Sequence, residues 1–350
     1  MPRIGMGALL IAAALSIGPA CAAAAPSAPD PVLVLDAPGE KSGTDAIVVV
    51  DLSGRELARQ STGLENALPT LHAGTAQVAF WRPGGAGTNQ ELVVWNIGSK
   101  SSKVIATSAT SPAITPLWSV DGTEVISLLT STSISWAPGS TFDGIAEISV
   151  ATVLTGQSRT LVTDRPFLPS FANGQIVAGE TFSGEKTYIV VDARSGRTVR
   201  QMSSSGAVGI LPTADPDVVI VLRETSTPGD VTFHALNTQT GAELRALGPF
   251  YAQPMPSWPG RTEVVFVDGG ELKAFDYHAN AIRVVGRFEG AVAALGFDAS
   301  GTVLLAAHIG EPYQVTFTVA GGALTSRARP VQLEASLFGR GLGLVRITPP

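Results

Sequence analysis

Apolar residues along this 350-residue chain fall in short runs, and no stretch keeps a sustained helical period. Val48-Val49-Val50, Leu92-Val93-Val94-Trp95, Ile189-Val190-Val191 and Val264-Val265-Phe266-Val267 are strand cores, rich in β-branched and aromatic residues. Clusters of Gly, Pro, Asn, Asp and Ser separate them and mark turns. Runs this continuous suit strands covered on both faces, so the pattern predicts several sheets, each lying between two others.

A unit recurs along the chain. It holds a strand ending in Asp or Asn, a tight turn containing Gly, and a second strand of mixed polarity. AIVVVDLSGRELARQ from Ala46, TYIVVDARSGRTVRQ from Thr187 and VTFHALNTQTGAELRAL from Val231 are the clearest copies. Anchoring each copy at Asp51, Asn96, Thr152, Asp192, Asn237, Asp276 and Val319 gives steps of 45, 56, 40, 45, 39 and 43 residues. A repeat of about 40–45 residues is the length of one four-stranded propeller blade. The other half of each unit is a hairpin. Asp121-Gly122 lies between two apolar strands in PLWSVDGTEVISL from Pro116, and Asn173-Gly174, Gly260 and Gly301 take the same place in later units.

Pro116, Trp118, Ser119, Asp121 and Gly122 resemble the P-x-W-S-P-D-G pattern of TolB-like and WD-type β-propeller repeats, with Val120 where proline is usual. The resemblance extends over seven units and implies an all-β propeller of seven four-stranded blades. The first unit has no upstream strand to serve as its innermost one. Leu342–Thr348 is spare at the other terminus, so it is expected to pair into the first blade and close the ring.

Composition sharpens this picture. Hydrophobic residues make up 45% of the chain and charged residues only 15%, a balance that a membrane protein would also show. After the N-terminus no run reaches 18 consecutive apolar residues, so the apolar excess is assigned to the stacking of sheets. At the N-terminus itself, Arg3 precedes an uncharged stretch whose apolar heart, Met6 to Ile17, is too short to span a bilayer. Gly18-Pro19 breaks it, and small residues follow to Ala25. Those features predict a secretory signal peptide over residues 1–24, a single propeller domain over 27–350, and a periplasmic or extracellular location. Cys21, the one cysteine, excludes a disulfide scaffold and stands where an exported lipoprotein would carry its lipid. A net charge of −6 without basic runs argues against nucleic acid as a partner.

Catalytic signatures are sparse. The sequence has no G-x-S-x-G elbow, H-E-x-x-H pair or D-x-D-x-D-G loop. His72, His234, His278 and His308 lie on different units, so neither a metal nor a cofactor is expected. Trp95, Trp118 and Trp258 read as packing residues, whereas Trp81 and Trp136 stand where strands give way to Gly/Pro loops and could serve either packing or a ligand. The long third step falls in Ser131–Gly144, which brings Trp136, Phe142 and Asp143 to one loop. Insertions in repeat folds collect on loops, often on the binding face. His72, Asp164, Arg165, Tyr251, Glu311 and Tyr313 are expected to open on that same face. Aromatics mixed with a few charges suit a protein, peptide or glycan ligand. The expected function is therefore an exported, monomeric, non-catalytic binding scaffold of the cell envelope. The alternative is a propeller enzyme of the lactonase, lyase or glycosidase type, with Asp143, Asp164, Glu311 and His72 converging at the channel mouth.

Overall fold

The computed structural model describes residues 31–346 except 52, 64–66, 86–88, 113–115, 120, 131–145, 164–166, 173–174, 181–186, 193–194, 196, 204–206, 214, 216, 228–229, 251–252, 258–261, 269, 288–290, 298–302, 310–313, 321–323, 326–329 and 333–340. Among the described residues the strands form seven antiparallel sheets. Six of them are meanders of consecutive strands. The second sheet, for example, runs Thr70–His72, Gln77–Pro83, Gln90–Asn96 and Ser101–Ser108. In the first sheet Pro31–Pro38, Asp45–Val50 and Glu56–Ser61 follow in order, and the remaining place beside Pro31–Pro38 is filled by Gly341–Arg346. Val32 pairs with Val345 and Leu33 with Leu344, so the two ends of the chain share one ladder.

From the seventh sheet through the first and on to the sixth, the inner strands of neighbouring sheets adjoin one another. Gly341–Arg346 lies beside Thr70–His72, then Leu117–Trp118, Phe167–Ala172, Ala207–Pro212 and Gln253–Ser257 follow, and Ala291–Phe297 returns to Gly341–Arg346. These strands form the inner wall of a radial array, and the later strands of each sheet lie outward.

Side-chain alternation explains the continuous apolar runs. Val93 and Trp95 face the first sheet, in a layer with Val34, Ile47, Val49 and Phe80. Leu92 and Val94, their neighbours on the same strand, face the third sheet with Trp81, Val125 and Leu129. Successive residues of a strand point to opposite faces, so a sheet covered on both faces needs apolar residues at every position. Asp45–Val50 is accordingly buried throughout its length. The fifth and sixth sheets meet the same way, with Phe233 and Phe266 tilted at 57° and 5.1 Å between ring centroids.

The recurring Asp or Asn anchor makes the turn from third to outer strand. Asp51 Oδ1 accepts hydrogen bonds from the backbone N–H of Ser53 and Arg55 at 2.9 and 3.1 Å, and Gly54 sits at φ +85°. Asn96, Asp192, Asn237 and Asp276 accept from the amides two or three residues on in the same manner. A short acceptor side chain at the strand end thus satisfies the amides that the turn would leave unpaired.

Candidate functional site

Antiparallel meanders have two ends. Turns from inner to second strand and from third to outer strand share one end, here called the turn end. Connections from second to third strand, and from one sheet to the next, leave at the other, the loop end. Residues 131–145, which contain Trp136, Phe142 and Asp143, join Glu124–Thr130 to Ala146–Thr152 at the loop end. Asp164 and Arg165 fall between the third and fourth sheets, and Tyr251 between the fifth and sixth. Glu311 and Tyr313 fall between Val303–Ile309 and Gln314–Ala320. All of these bridge strand ends on the same side, although the residues themselves lie outside the described set, as do Cys21 and the N-terminal 30 residues.

His72 stands elsewhere. It closes the inner strand Thr70–His72 and leads into a 3-10 turn, Ala73–Thr75, at the turn end. The expectation that it opens on the face of the other candidates is corrected by this topology. An inner strand of only three residues is too short to register as a strand in the sequence, and the missing reversal exchanges the two ends. Its ring packs 5.4 Å from Trp118, whose indole N–H donates to the Thr70 carbonyl at 3.1 Å. The Thr75 backbone N–H donates to His72 Nδ1 at 3.2 Å, and the Thr75 hydroxyl lies 2.9 Å from the same nitrogen. Gly122 completes the enclosure: at φ +70° it has no room for a Cβ, which would lie 2.7 Å from the imidazole. His72 therefore joins the second sheet to the Trp118 hairpin of the third.

That hairpin carries a carboxylate held by three donors. Asp121 Oδ1 accepts from Ser119 Oγ at 2.7 Å and from the Thr123 amide and hydroxyl at 3.1 and 2.8 Å. Burial pushes its carboxyl up, but these donors outweigh burial and hold it below the ordinary value. Asp51 is lowered for the same balance of reasons. Both carboxylates are occupied by their own turns.

His234 and His278 also stay on separate sheets. His234 lies 2.9 Å from Glu243 and 2.8 Å from the Thr232 hydroxyl, within the fifth sheet. His278 reaches Asp215 at 3.0 Å and links the sixth sheet to the fifth at the turn end. Among the described residues no group of three or more His, Cys, Asp and Glu side chains could hold a metal ion. Trp81 is only 1% exposed, so of its two readings the structure selects packing between the second and third sheets.

The inner wall is chemically simple. Gly341–Arg346, Thr70–His72, Ser111–Pro112, Leu117–Trp118, Phe167–Ala172, Ala207–Pro212, Gln253–Ser257 and Ala291–Phe297 contain neither Asp nor Glu. Arg346 is their one Lys or Arg. Among the described residues, each of these strands pairs with a neighbouring strand on its outward side only. At the turn end, Ala73–Thr75 lies close to both Gly341–Arg346 and Ala291–Phe297.

No family model matches the sequence, and no curated protein matches it either. Solved structures are similar in fold. The β-propeller domain of the Trilobed protease from Pyrococcus furiosus aligns with a TM-score of 0.53 and 12% identity, over 84% of this chain and 91% of that one. An oligogalacturonate lyase in complex with manganese gives 0.53 and 10%, over 79% and 82% of the two chains. An acylaminoacyl peptidase gives 0.58 and 12%, with 86% of this chain spanning only 52% of the peptidase. At these identities the likeness is one of architecture, and it agrees with the radial array of sheets: the chain is a β-propeller.

Proposed function

We propose that this chain is an exported, non-catalytic propeller that acts as a binding scaffold in the cell envelope through its loop end. The observation that carries the reading is the division of chemistry between the two ends. Inner strands without an acid form the wall, and the ordered carboxylates Asp51 and Asp121 at the turn end are spent on their own backbone. The four residues that an enzymatic reading needs do not share an end. His72 closes an inner strand at the turn end, whereas Asp143, Asp164 and Glu311 fall in loop-end connections. Acid–base partners must lie within one site, so this separation removes His72 as a partner for carboxylates in those loops. The N-terminal stretch from Arg3 to Ala25 supports export, with Cys21 as the place for a lipid. The partner is a protein, peptide or glycan contacted by Trp136 and Phe142, since aromatic residues in loops supply contact area at low entropic cost.

The test is capture from envelope extract by the immobilised chain, with Trp136→Ala and Phe142→Ala as variants of unchanged melting temperature. Wild type should retain a specific partner, and each variant should retain at least about tenfold less, the usual effect of losing an aromatic anchor. No specific retention, or equal retention by all three chains, contradicts the reading.

A further inference from the structure

One cluster of side chains takes no part in the turns or in the loop-end connections. On the third strand of the fifth sheet, Val231–Asn237, Phe233 and Ala235 face the sixth sheet, so Thr232 and His234 face the fourth. His234 Nε2 lies 2.8 Å from Thr232 Oγ1. The outer strand, Glu243–Phe250, adds Glu243, whose Oε2 lies 2.9 Å from His234 Nδ1. A hydroxyl, an imidazole and a carboxylate thus form a chain, each within hydrogen-bond reach of the next. Glu243 is exposed and Thr232 half-buried, so the cluster borders solvent.

The contacts place the protons. A carboxylate only accepts, so its approach to Nδ1 requires the proton there. In the neutral ring Nε2 is then the acceptor, and the Thr232 hydroxyl donates to it. The Arg223 carbonyl, 3.3 Å from Oγ1, is the longer alternative. Arg223 Nη1 lies 3.3 Å from both Nδ1 and Glu243 Oε2, and as a donor it is served by the carboxylate. Sterics fix the other side of Thr232. The outer strand bulges opposite it, since Val231 pairs with Phe250 but Phe233 with Leu247. Gly248 stands in that bulge at φ +126°, where a Cβ would lie 3.2 Å from Thr232 Cγ2. The bare glycine seats the methyl, and a β-branched side chain so held has little freedom to turn its hydroxyl from the imidazole.

We propose that Thr232 is an acylation site that takes an uncharged acyl group from an ester or thioester, with His234 as general base and Glu243 as positioning residue. Thr232 Oγ attacks the acyl carbonyl while His234 Nε2 takes the hydroxyl proton. The bond from carbonyl carbon to leaving oxygen or sulfur breaks, and the leaving group takes that proton from the imidazolium. The products are an O-acyl threonine and a free alcohol or thiol. A neutral acyl carbonyl suits the cluster better than a phosphoryl group, because Glu243 is an anion and the guanidinium beside it, Arg223, already pairs with it. The His234 side chain is only 12% exposed, so an acyl group seated over Nε2 keeps water from that nitrogen and the ester persists. The transfer is therefore a modification without turnover, and it stands independently of the binding reading.

The probe is p-nitrophenyl acetate, incubated with the full chain at neutral pH and followed by peptide mass spectrometry. Wild type should gain an acetyl ester on Thr232 at least about 100-fold faster than on any other Ser or Thr, the scale of general-base assistance. Thr232→Val, which keeps the shape, should lose that product, and His234→Gln should slow it at least about 100-fold. Glu243→Asp should keep more of the rate than Glu243→Gln, because the charge orients the imidazole. Melting temperatures confirm that each variant is folded. Acetyl groups spread over hydroxyls without preference, or an unchanged Thr232 rate in His234→Gln, overturn the proposal. Equal rates in the two Glu243 variants overturn the role given to that residue. Release of p-nitrophenol beyond one equivalent in wild type but not in Thr232→Val overturns the modification, by assigning turnover in its place.

Discussion

Gly122 shows how one position carries several constraints. Its φ of +70° is costly for any residue with a Cβ, and the space where that Cβ would go is already filled by the His72 ring and the Thr75 methyl. Gly122→Ala should destabilise the protein by about 2 kcal/mol or more, measured by chemical denaturation. Adding His72→Ala should return part of the loss, because the steric component disappears while the backbone strain stays. Asp121 in the same hairpin makes a pH prediction. Its folded carboxyl titrates below its ordinary value of 3.8, so its stabilisation is complete at neutral pH and is lost as the pH falls from that value through the folded one. Wild type should therefore melt above Asp121→Asn at pH 6, and the gap should narrow on acidification below about 4. A gap that stays constant down to pH 2.5 would contradict the assignment. Sequence chemistry revealed Asp121 and Gly122 because a turn is a local device. It could not reveal that His72 fills the space above Gly122, since that contact joins two sheets and depends on their packing.

At the level of the strand, a cation recurs on the outer strand of five consecutive sheets at one register position. Lys103, Arg159, Arg200, Arg245 and Arg283 pair with Val94, Val150, Val190, Ala235 and Ala274, each two residues before the turn anchor. Their partners differ. Lys103 reaches the carbonyls of Val153 and Leu154 on the next sheet, whereas Arg159 reaches Glu124 and Arg283 grips Glu263, both within one sheet. Glu263 is 8% exposed, so removing Arg283 takes two charge-assisted donors from a nearly buried carboxylate. Arg283→Met should cost about 1–3 kcal/mol in denaturant melts, and Arg283→Met with Glu263→Met should cost less than the single change. A double variant weaker than the single one would mean that the pair itself is net stabilising. Strand cores, the repeat and the anchoring Asp or Asn were all legible, because period, spacing and turn chemistry belong to neighbouring residues. Trp81 was ambiguous in sequence because it stands one residue from Arg82-Pro83-Gly84-Gly85. Only the facing sheet shows that the strand stays covered as far as Trp81.

Over the whole molecule, the arrangement rests on a ladder between the two ends of the chain. Thirty residues precede the first strand and some 300 separate it from its partner, so a large loop must close before Gly341–Arg346 can reward the closure. The C-terminal strand was legible as a spare strand because the first unit visibly lacked one. Which loops share an end was not, since each short or interrupted strand, such as Thr70–His72, reverses the count for everything after it.

The binding reading requires the sheets to be joined through that ladder, and truncation tests it directly. Deleting residues 341–350 removes the innermost strand of the first sheet and leaves Pro31–Pro38 as an open edge. The melting temperature of the truncated chain should fall by at least about 10 °C relative to the full chain, beyond the few degrees that one ordinary substitution costs a domain of this size. A truncated chain that melts with the full-length protein would show that the ring does not depend on its last strand, and would contradict the account.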